Sequence, residues 1–382
     1  MNIFFKIFLL IFLILKTSNS FSEENKIKIG ILAPLSGENA ELGQQIVNSI
    51  RMALIEIDDN KIEVYPKDTK SDPNIALQSA KDLDQLGISL VIGPVFHKNL
   101  IYLNEVENIT FLSLTNKTLD LPKNVISSGI NATSQLNTIK KFLKLNKIKK
   151  SIFLVPNLNY DSEIERGIKK SKLKFFKQYY YDIEPTKLTK QIEEITNYER
   201  RKQNLLDEIL RVENSDGPNK DKEIEKLKKK YTLGSLQFDS VIIADFDESL
   251  KSVITSLLYT DVLPKEKYFI TFNQWFDESL LKETNAQPIY YPSINKKNLD
   301  DFISKFFKKF NYKPNHISLL SYDLIGLIYY LSLKNNLLEI NKSFKTKNTF
   351  KGKIGVFEIN DNKINHQLNF YEINKGELKE IF

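Results

Sequence analysis

The chain has 382 residues, of which 41% are hydrophobic and 27% charged, so it can bury a substantial core divided among two or three folding units. It contains no cysteine, which excludes disulfides, thiol catalysis, cysteine-ligated metals and a lipid-modified cysteine anchor. The formal net charge of +7 is modest and is spread among 48 acidic residues. The sequence shows no basic face interleaved with aromatic residues, which is the pattern that would indicate nucleic-acid binding.

The first twenty residues have the layout of a secretory signal peptide. Lys6 precedes nine apolar residues at 7–15, and the small residues Ser18 and Ser20 follow at a cleavage spacing. The apolar run is shorter than the roughly 20 residues that span a bilayer, which favours cleavage over the alternative of an uncleaved anchor. We therefore predict a signal peptide at 1–20, and export of the mature chain to the periplasm as a protein that is not a lipoprotein. Without the two lysines of this segment, the mature net charge is about +5.

From Lys26 onwards, short apolar runs alternate with stretches of helical periodicity. The first series predicts strands and helices in alternation: strand 27–32, helix 42–57, strand 62–64, helix 73–86, strand 90–92 and strand 109–114. Because strand–helix–strand repeats form parallel sheets with right-handed crossovers, this series predicts one α/β lobe.

A second series begins near Asn131 and has the same character. Its predicted helices and strands are helix 134–145, strand 151–155, helix 162–170, strand 175–181, strand 240–244, helix 247–259 and strand 268–271. Helices at 297–310 and 318–333 follow, and the runs 355–359 and 368–373 predict a late β-hairpin joined by residues 360–362. The fold class predicted is therefore α/β with two lobes.

One segment, residues 196–231, interrupts this alternation, because 18 of its 36 residues are charged. A narrow apolar stripe at Leu205, Leu206, Ile209 and Leu210 precedes a turn and a second stripe, which is typical of a helical hairpin. Two interpretations remain open: a solvated insertion, as charge runs usually are, or an arm that binds a partner.

The sequence offers no arrangement of residues typical of an enzyme. It has neither a glycine-rich phosphate loop nor a nucleophile elbow, and no cofactor is predicted. The three histidines, His97, His316 and His366, are far apart and follow no metal-ligand spacing, so no metal site is predicted.

Several motifs, taken in chain order, resemble those of the leucine/isoleucine/valine-binding proteins. They are the run 29–37 followed by Gly43, Asp68-Thr69 with Asp72-Pro73, the run 90–94, Tyr322-Asp323, and the run 350–357. The resemblance implies the type I periplasmic-binding fold: two doubly wound Rossmann-like lobes joined by three crossovers. Lobe one is placed at 27–130 plus 292–336 and lobe two at 131–291 plus 337–382, with the charged helical hairpin inserted in lobe two.

The same resemblance implies a ligand cleft between the lobes. There, Ser113 and Thr115 would supply hydroxyls for a ligand carboxylate, while Asn273 falls near the position of an acid that would meet an ammonium group. The expected ligand-binding residues are Ser36, Phe96, His97, Ser113, Thr115, Asn116, Tyr160, Phe246, Asn273 and Trp275. Core or rim packing is the alternative role for each of them.

A second resemblance concerns the loop 93–95 and the segments 198–201 and 232–240 that flank the charged hairpin. These are similar to the penicillin-binding protein activator subgroup of the same fold, which implies contact with a peptidoglycan synthase. Two non-enzymatic functions therefore stay open. The first is binding of amino acids or similar small solutes for import with ABC transporter membrane subunits. The second is a scaffold that regulates peptidoglycan synthesis; an enzyme on this fold is the third hypothesis, without a nucleophile–base pair to support it.

Overall fold

The structure of the protein, a computed structural model, describes residues 26–158, 161–333, 335–360 and 363–382. The predicted signal peptide, Tyr160 and residues 361–362 of the predicted turn lie outside the described residues. The strands are β1 Ile27–Ala33, β2 Ile62–Asp68, β3 Leu90–Ile92, β4 Thr110–Ser113, β5 Val125–Ser127, β6 Ser151–Pro156, β7 Lys177–Tyr181, β8 Ser240–Ile243, β9 Tyr268–Thr271, β10 Ile289–Ser293, β11 Asn348–Lys351, β12 Val356–Asn360, β13 Lys363–Gln367, β14 Asn369–Asn374 and β15 Glu377–Glu380. The α-helices are α1 Ala40–Ile57, α2 Pro73–Gln85, α3 Ala132–Leu145, α4 Asp161–Ser171, α5 Pro185–Thr196, α6 Tyr198–Glu213, α7 Lys220–Lys228, α8 Asp247–Tyr259, α9 Ser279–Lys282, α10 Lys296–Phe310, α11 Ile317–Ser332 and α12 Leu337–Lys345.

The first sheet has the strand order β11-β12-β13-β5-β4-β3-β1-β2. Strands β1 to β5 pair in parallel, and β13 adds to β5 in the same direction. One face packs against α1, α10, α11 and α12 around residues such as Ile50, Phe306 and Ile325, and the other face covers Leu83 and Phe111. Because helices cover both faces of the sheet, its central strands β3, β4 and β5 are buried along their whole length.

The second sheet has the order β15-β14-β10-β9-β8-β6-β7, with β6 to β10 parallel and β14 antiparallel to β10. Helices α5, α8 and α9 cover one face, with Ile192, Val253 and Leu280 in that core. Helices α3 and α4 cover the other face, where Phe142 and Ile164 pack. Both sheets are therefore doubly wound, as expected from the alternating strands and helices.

The chain passes between the sheets three times. It leaves β5 through residues 128–131, leaves β10 at Ile294, and returns from β13 to β14 through Leu368 alone. The predicted fold class, two doubly wound α/β lobes joined by three crossovers with an inserted helical hairpin, is confirmed.

The C-terminal part of the chain is distributed differently from the prediction. Residues 337–382 were expected in lobe two, but β11, β12 and β13 extend the first sheet, and Ile340 and Phe344 of α12 lie in its core. Of the strands in this C-terminal part, only β14 and β15, which follow Leu368, belong to the second sheet. Repeated apolar runs predict strands but do not specify which sheet edge they join.

The predicted late hairpin is also corrected. The run 355–359 pairs antiparallel with β13 rather than with 368–373, which instead pairs with β10 and β15. Each of the two open sheets has two edges that a strand can join, and the choice among them depends on contacts distant in sequence.

The charged segment forms two packed helices, α6 and α7, whose small core contains Leu205, Val212 and Leu227. Its base is fixed by Arg201, which is only 6% exposed. The guanidinium donates hydrogen bonds to the carbonyls of Thr196 and Thr260, which joins the hairpin to the ends of α5 and α8. Burial lowers the pKa of Arg201 from its usual value, an effect opposed by the charge of Asp261.

Candidate functional site

The cleft between the lobes is built from loops at the carboxyl ends of parallel strands, the usual place for ligands in open α/β sheets. In the first lobe these loops follow β1, β3 and β4, and in the second they follow β6, β8 and β9. Gly93 starts the loop after β3 with a φ of +101°, and a Cβ there would lie 2.1 Å from the carbonyl oxygen of Leu32. Only glycine therefore allows β3 to turn at this point.

Ser36 lies in the loop after β1, but its hydroxyl is engaged within the first lobe. Its Oγ donates to Oδ2 of Asp68 at 2.5 Å, while the backbone N–H of Leu35 donates to Oδ1 at 2.8 Å. Desolvation would raise the pKa of Asp68, but these hydrogen bonds and that from Lys70 outweigh it and lower the pKa. This network connects the ends of β1 and β2.

The hydroxyls expected to hold a ligand carboxylate are likewise buried. The Oγ of Ser113 donates to the carbonyl of Pro94 at 2.7 Å, and Ser113 is fully buried. Thr115 is 6% exposed and its Oγ1 accepts from the N–H of Lys117 at 3.2 Å. Asn116, by contrast, is exposed. The two hydroxyls stabilise the loops after β3 and β4.

The loop after β3 is connected to the loop after β4. His97 Nε2 lies 3.1 Å from the carbonyl oxygen of Leu119, and Phe96 packs against the core of the first lobe. Leu121 packs against the core on the opposite face of the same sheet. The segment 116–122 is therefore a part of the first lobe.

In the second lobe, Asn273 is a structural centre of the loop after β9. Its backbone N–H donates to Oε1 of Gln135 at 2.7 Å, and its Oδ1 accepts from the N–H of Trp275 and the hydroxyl of Ser293. Its buried Nδ2 has no partner among the described residues. Phe246 packs edge-on against Phe272, with ring centroids 6.5 Å apart.

Trp275 joins the two lobes. Its ring stacks on that of His316, with centroids 4.0 Å apart and planes inclined by 18°. His316 immediately precedes α11 of the first lobe, whereas Trp275 follows β9 of the second. Burial lowers the pKa of His316 to about 4, so the ring is neutral near pH 7.

A second contact between the lobes was not predicted from the sequence. Glu163, in the first turn of α4, accepts hydrogen bonds from the backbone N–H groups of Thr118 and Leu119 and from the Thr118 hydroxyl. One glutamate among 48 acidic residues carried no distinguishing signal. The only hint was its position just after a strand that ends at the cleft.

The crossovers are fixed by buried polar contacts. Asn131 caps α3 by accepting from the N–H of Ser134 at 2.9 Å, and its Nδ2 donates to the carbonyl of Ile364 at 2.9 Å. His366 Nε2 lies 2.9 Å from the carbonyl oxygen of Ser128. Burial lowers the pKa of His366 to about 4, although its bond to Ser128 acts in the opposite direction.

Across the described ranges, no group of three or more His, Asp or Glu side chains is arranged to hold a metal ion. No helix in the described part of the chain is both long and apolar enough to cross a membrane.

Two α/β lobes, three crossovers and facing strand-end loops define a bilobal protein with the type I periplasmic-binding fold. Residues 26–195 match the family model described as periplasmic binding protein. The chain resembles the leucine-binding-like branch of these proteins, and its structural neighbours include both amino-acid-binding proteins and LpoA.

Two solved structures illustrate this range. The C-domain of LpoA from Haemophilus influenzae, a regulator of PBP1A, has a TM-score of 0.63 and 13% identity, covering 93% of this chain and 100% of that one. LivJ from Streptococcus pneumoniae, solved with isoleucine, has a TM-score of 0.53 and 18% identity, covering 93% of this chain and 98% of that one. At these identities the likeness establishes the fold alone.

A sequence relative adds little to this picture. An uncharacterised protein of Methanocaldococcus jannaschii is 34% identical over 109 residues. The match covers 26% of this chain and 25% of the length of that protein. A role in ligand binding stays a prediction for each residue named from the sequence.

Proposed function

We propose that this chain is a non-enzymatic periplasmic protein that acts through protein–protein contacts, as a scaffold that regulates a peptidoglycan synthase. The observation that carries the proposal is that the lobes contact each other across the cleft. Trp275 stacks on His316, and Glu163 binds the turn at Thr118 and Leu119. A solute-binding cleft would instead present such side chains to its ligand.

The orientation of the hydroxyls supports the same function. Ser113 is hydrogen-bonded to Pro94, and Ser36 to Asp68, so both are already used inside the first lobe. Asn273 is uncharged and cannot pair with a ligand ammonium group, and an unpaired buried ammonium is costly. The likeness to the LpoA domain over the whole of that domain is consistent with a regulatory role.

The charged hairpin provides a surface for the partner. Leu205, Val212 and Leu227 are buried between its two helices. In contrast, Leu206 and Leu210 are 49% and 55% exposed, and Tyr231 at the base of the hairpin is 78% exposed. Leu206 and Leu210 are four residues apart and therefore share one face of α6. An apolar pair surrounded by charges is typical of a contact core with a polar rim.

The proposal can be tested by capture of penicillin-binding proteins from detergent-solubilised membranes labelled with fluorescent penicillin. The immobilised wild-type chain is expected to retain a labelled band. The double variant Leu206→Asp/Leu210→Asp is expected to lose about tenfold in retention, since about 1.4 kcal/mol of binding energy corresponds to that factor. Leu145→Asp, at a leucine that is 60% exposed in α3, is the matched control.

One result would contradict this function, and another would contradict only the proposed contact surface. Absence of any labelled band with the wild-type chain argues against a synthase partner. Equal retention by the double variant and by the Leu145→Asp control argues against the hairpin as the contact surface.

Binding of amino acids for ABC import is the second candidate, favoured by the likeness to LivJ, which was solved with isoleucine. It requires the lobes to separate and Trp275 to leave His316. Calorimetry with a panel of amino acids tests it directly. Saturable heat with one member of the panel supports import, whereas silence across the panel leaves the scaffold function as the one supported.

A further inference from the structure

Glu163 is bound in the way that a protein binds a ligand carboxylate. Its Oε1 accepts from the backbone N–H of Thr118 at 2.6 Å and of Leu119 at 2.7 Å, and its Oε2 accepts from the Thr118 hydroxyl at 2.8 Å. Both oxygens are therefore engaged by donors on one turn. Hydrogen bonds to an ionised acceptor are shorter and stronger than those between neutral groups.

The donors and the acceptor belong to different lobes. The turn is attached to the first lobe through His97, whose Nε2 lies 3.1 Å from the Leu119 carbonyl oxygen, and Thr118 is 7% exposed. Glu163 lies in α4, and the neighbouring Ile164 is 3% exposed in the core of the second lobe. Separation of the lobes must break all three bonds.

We propose that the turn at Thr118 and Leu119 is a carboxylate-binding site whose natural occupant is Glu163, and that this internal carboxylate latches the lobes closed without a ligand. The inference concerns the resting conformation and does not depend on which partner the protein binds. A ligand or partner that opens the cleft has to replace Glu163 with a carboxylate of its own or stabilise the open state by other contacts.

The molecule contains a natural reporter for this test. Trp275 is the only tryptophan in the chain, and it lies at another contact between the lobes. Separation of the lobes exposes the indole ring of Trp275 to water and removes its stacking on His316. Its fluorescence therefore reports the separation of the lobes, and small-angle scattering measures the same change as an increase in radius of gyration.

The experiment compares Glu163→Ala and Thr118→Val, which remove the acceptor and one donor from opposite lobes. Both are expected to shift Trp275 emission to longer wavelength and to enlarge the radius of gyration. Exchange of the Leu119 amide proton in Glu163→Ala is expected to be about tenfold faster or more, given the strength of a hydrogen bond to a charged group. Glu165→Gln is the matched control, since Glu165 lies on the same helix but accepts from Tyr180 within the second lobe.

The carboxylate site itself is tested by chemical rescue of Glu163→Ala with sodium acetate. Acetate is expected to restore the wild-type emission and dimensions, whereas sodium chloride at equal ionic strength is not. The latch is overturned if both variants keep the wild-type emission and radius of gyration. The carboxylate site is overturned if acetate has no greater effect than chloride.

Discussion

The indole ring of Trp275 lies stacked on the imidazole of His316, although the two residues are 41 positions apart in the sequence and belong to different lobes. The stack brings a loop that follows β9 onto the start of α11. Neither residue is fully buried, yet together they remove apolar ring surface from water. This contact and that of Glu163 with Thr118 each depend on one side chain from each lobe. We therefore expect single substitutions to change how firmly the lobes hold together.

Acidification is expected to weaken the contact between Trp275 and His316. Burial lowers the pKa of His316 to about 4 in the folded protein, against an ordinary value of 6.5. Its contribution to stability is therefore present above pH 6.5 and is lost as the pH falls towards 4, by up to about 3 kcal/mol. Urea unfolding at pH 7 and 4.5 is expected to show a smaller loss in His316→Phe, which keeps an aromatic ring without a proton site. Equal losses in the two proteins would contradict this.

Asp323 is expected to show the opposite pH dependence. Burial raises its pKa to about 6, even though the backbone N–H groups of Ile354 and Lys353 donate to its carboxylate. Its favourable contribution is greatest below pH 3.8 and is lost as the pH rises through 6. The unfolding free energy of Asp323→Asn minus that of the wild type should therefore increase by up to about 3 kcal/mol between pH 4 and 7. Asp216→Asn, at an exposed position between α6 and α7, is the matched control. A difference that is constant or falls with pH would refute the assignment.

The two adjacent arginines of α6 should differ sharply in their effect on stability. Arg201→Leu removes the hydrogen bonds to the carbonyls of Thr196 and Thr260 and leaves those groups without a side-chain donor. We expect a loss of about 2–3 kcal/mol in the unfolding free energy. Arg200→Leu, at an exposed neighbour, should change it by less than about 0.5 kcal/mol. Similar values for the two variants would mean that Arg201 does not anchor the hairpin.

Ser113→Ala is expected to act on stability rather than on recognition. The substitution removes the bond to Pro94, whose carbonyl still accepts from the N–H of Leu114 at 3.2 Å. A loss of about 1 kcal/mol is expected in thermal or urea unfolding, with the exposed Ser235→Ala as control. Unchanged stability together with loss of binding to an amino acid would instead place Ser113 in a ligand site.

The sequence by itself determined the two lobes and most of their elements. The predicted bounds of β3, β9 and α8 agree with the structure, because a strand buried on both faces is a short continuous apolar run and a buried helix repeats its apolar residues at a fixed period. Such local signals also located the charged hairpin. They did not reveal α5 at 185–196, whose apolar stripe is sparse.

Only the tertiary structure decided which side chains meet across the cleft. The sequence placed Ser113, Thr115 and Trp275 at the cleft, but not the direction of their side chains, and it gave Glu163 no special role. It also assigned residues 337–367 to the wrong lobe, since an apolar pattern does not specify the sheet on which an element packs. The physical reason is that burial period is a local property. Contacts between lobes, in contrast, depend on where three short crossovers bring together loops that are distant in sequence.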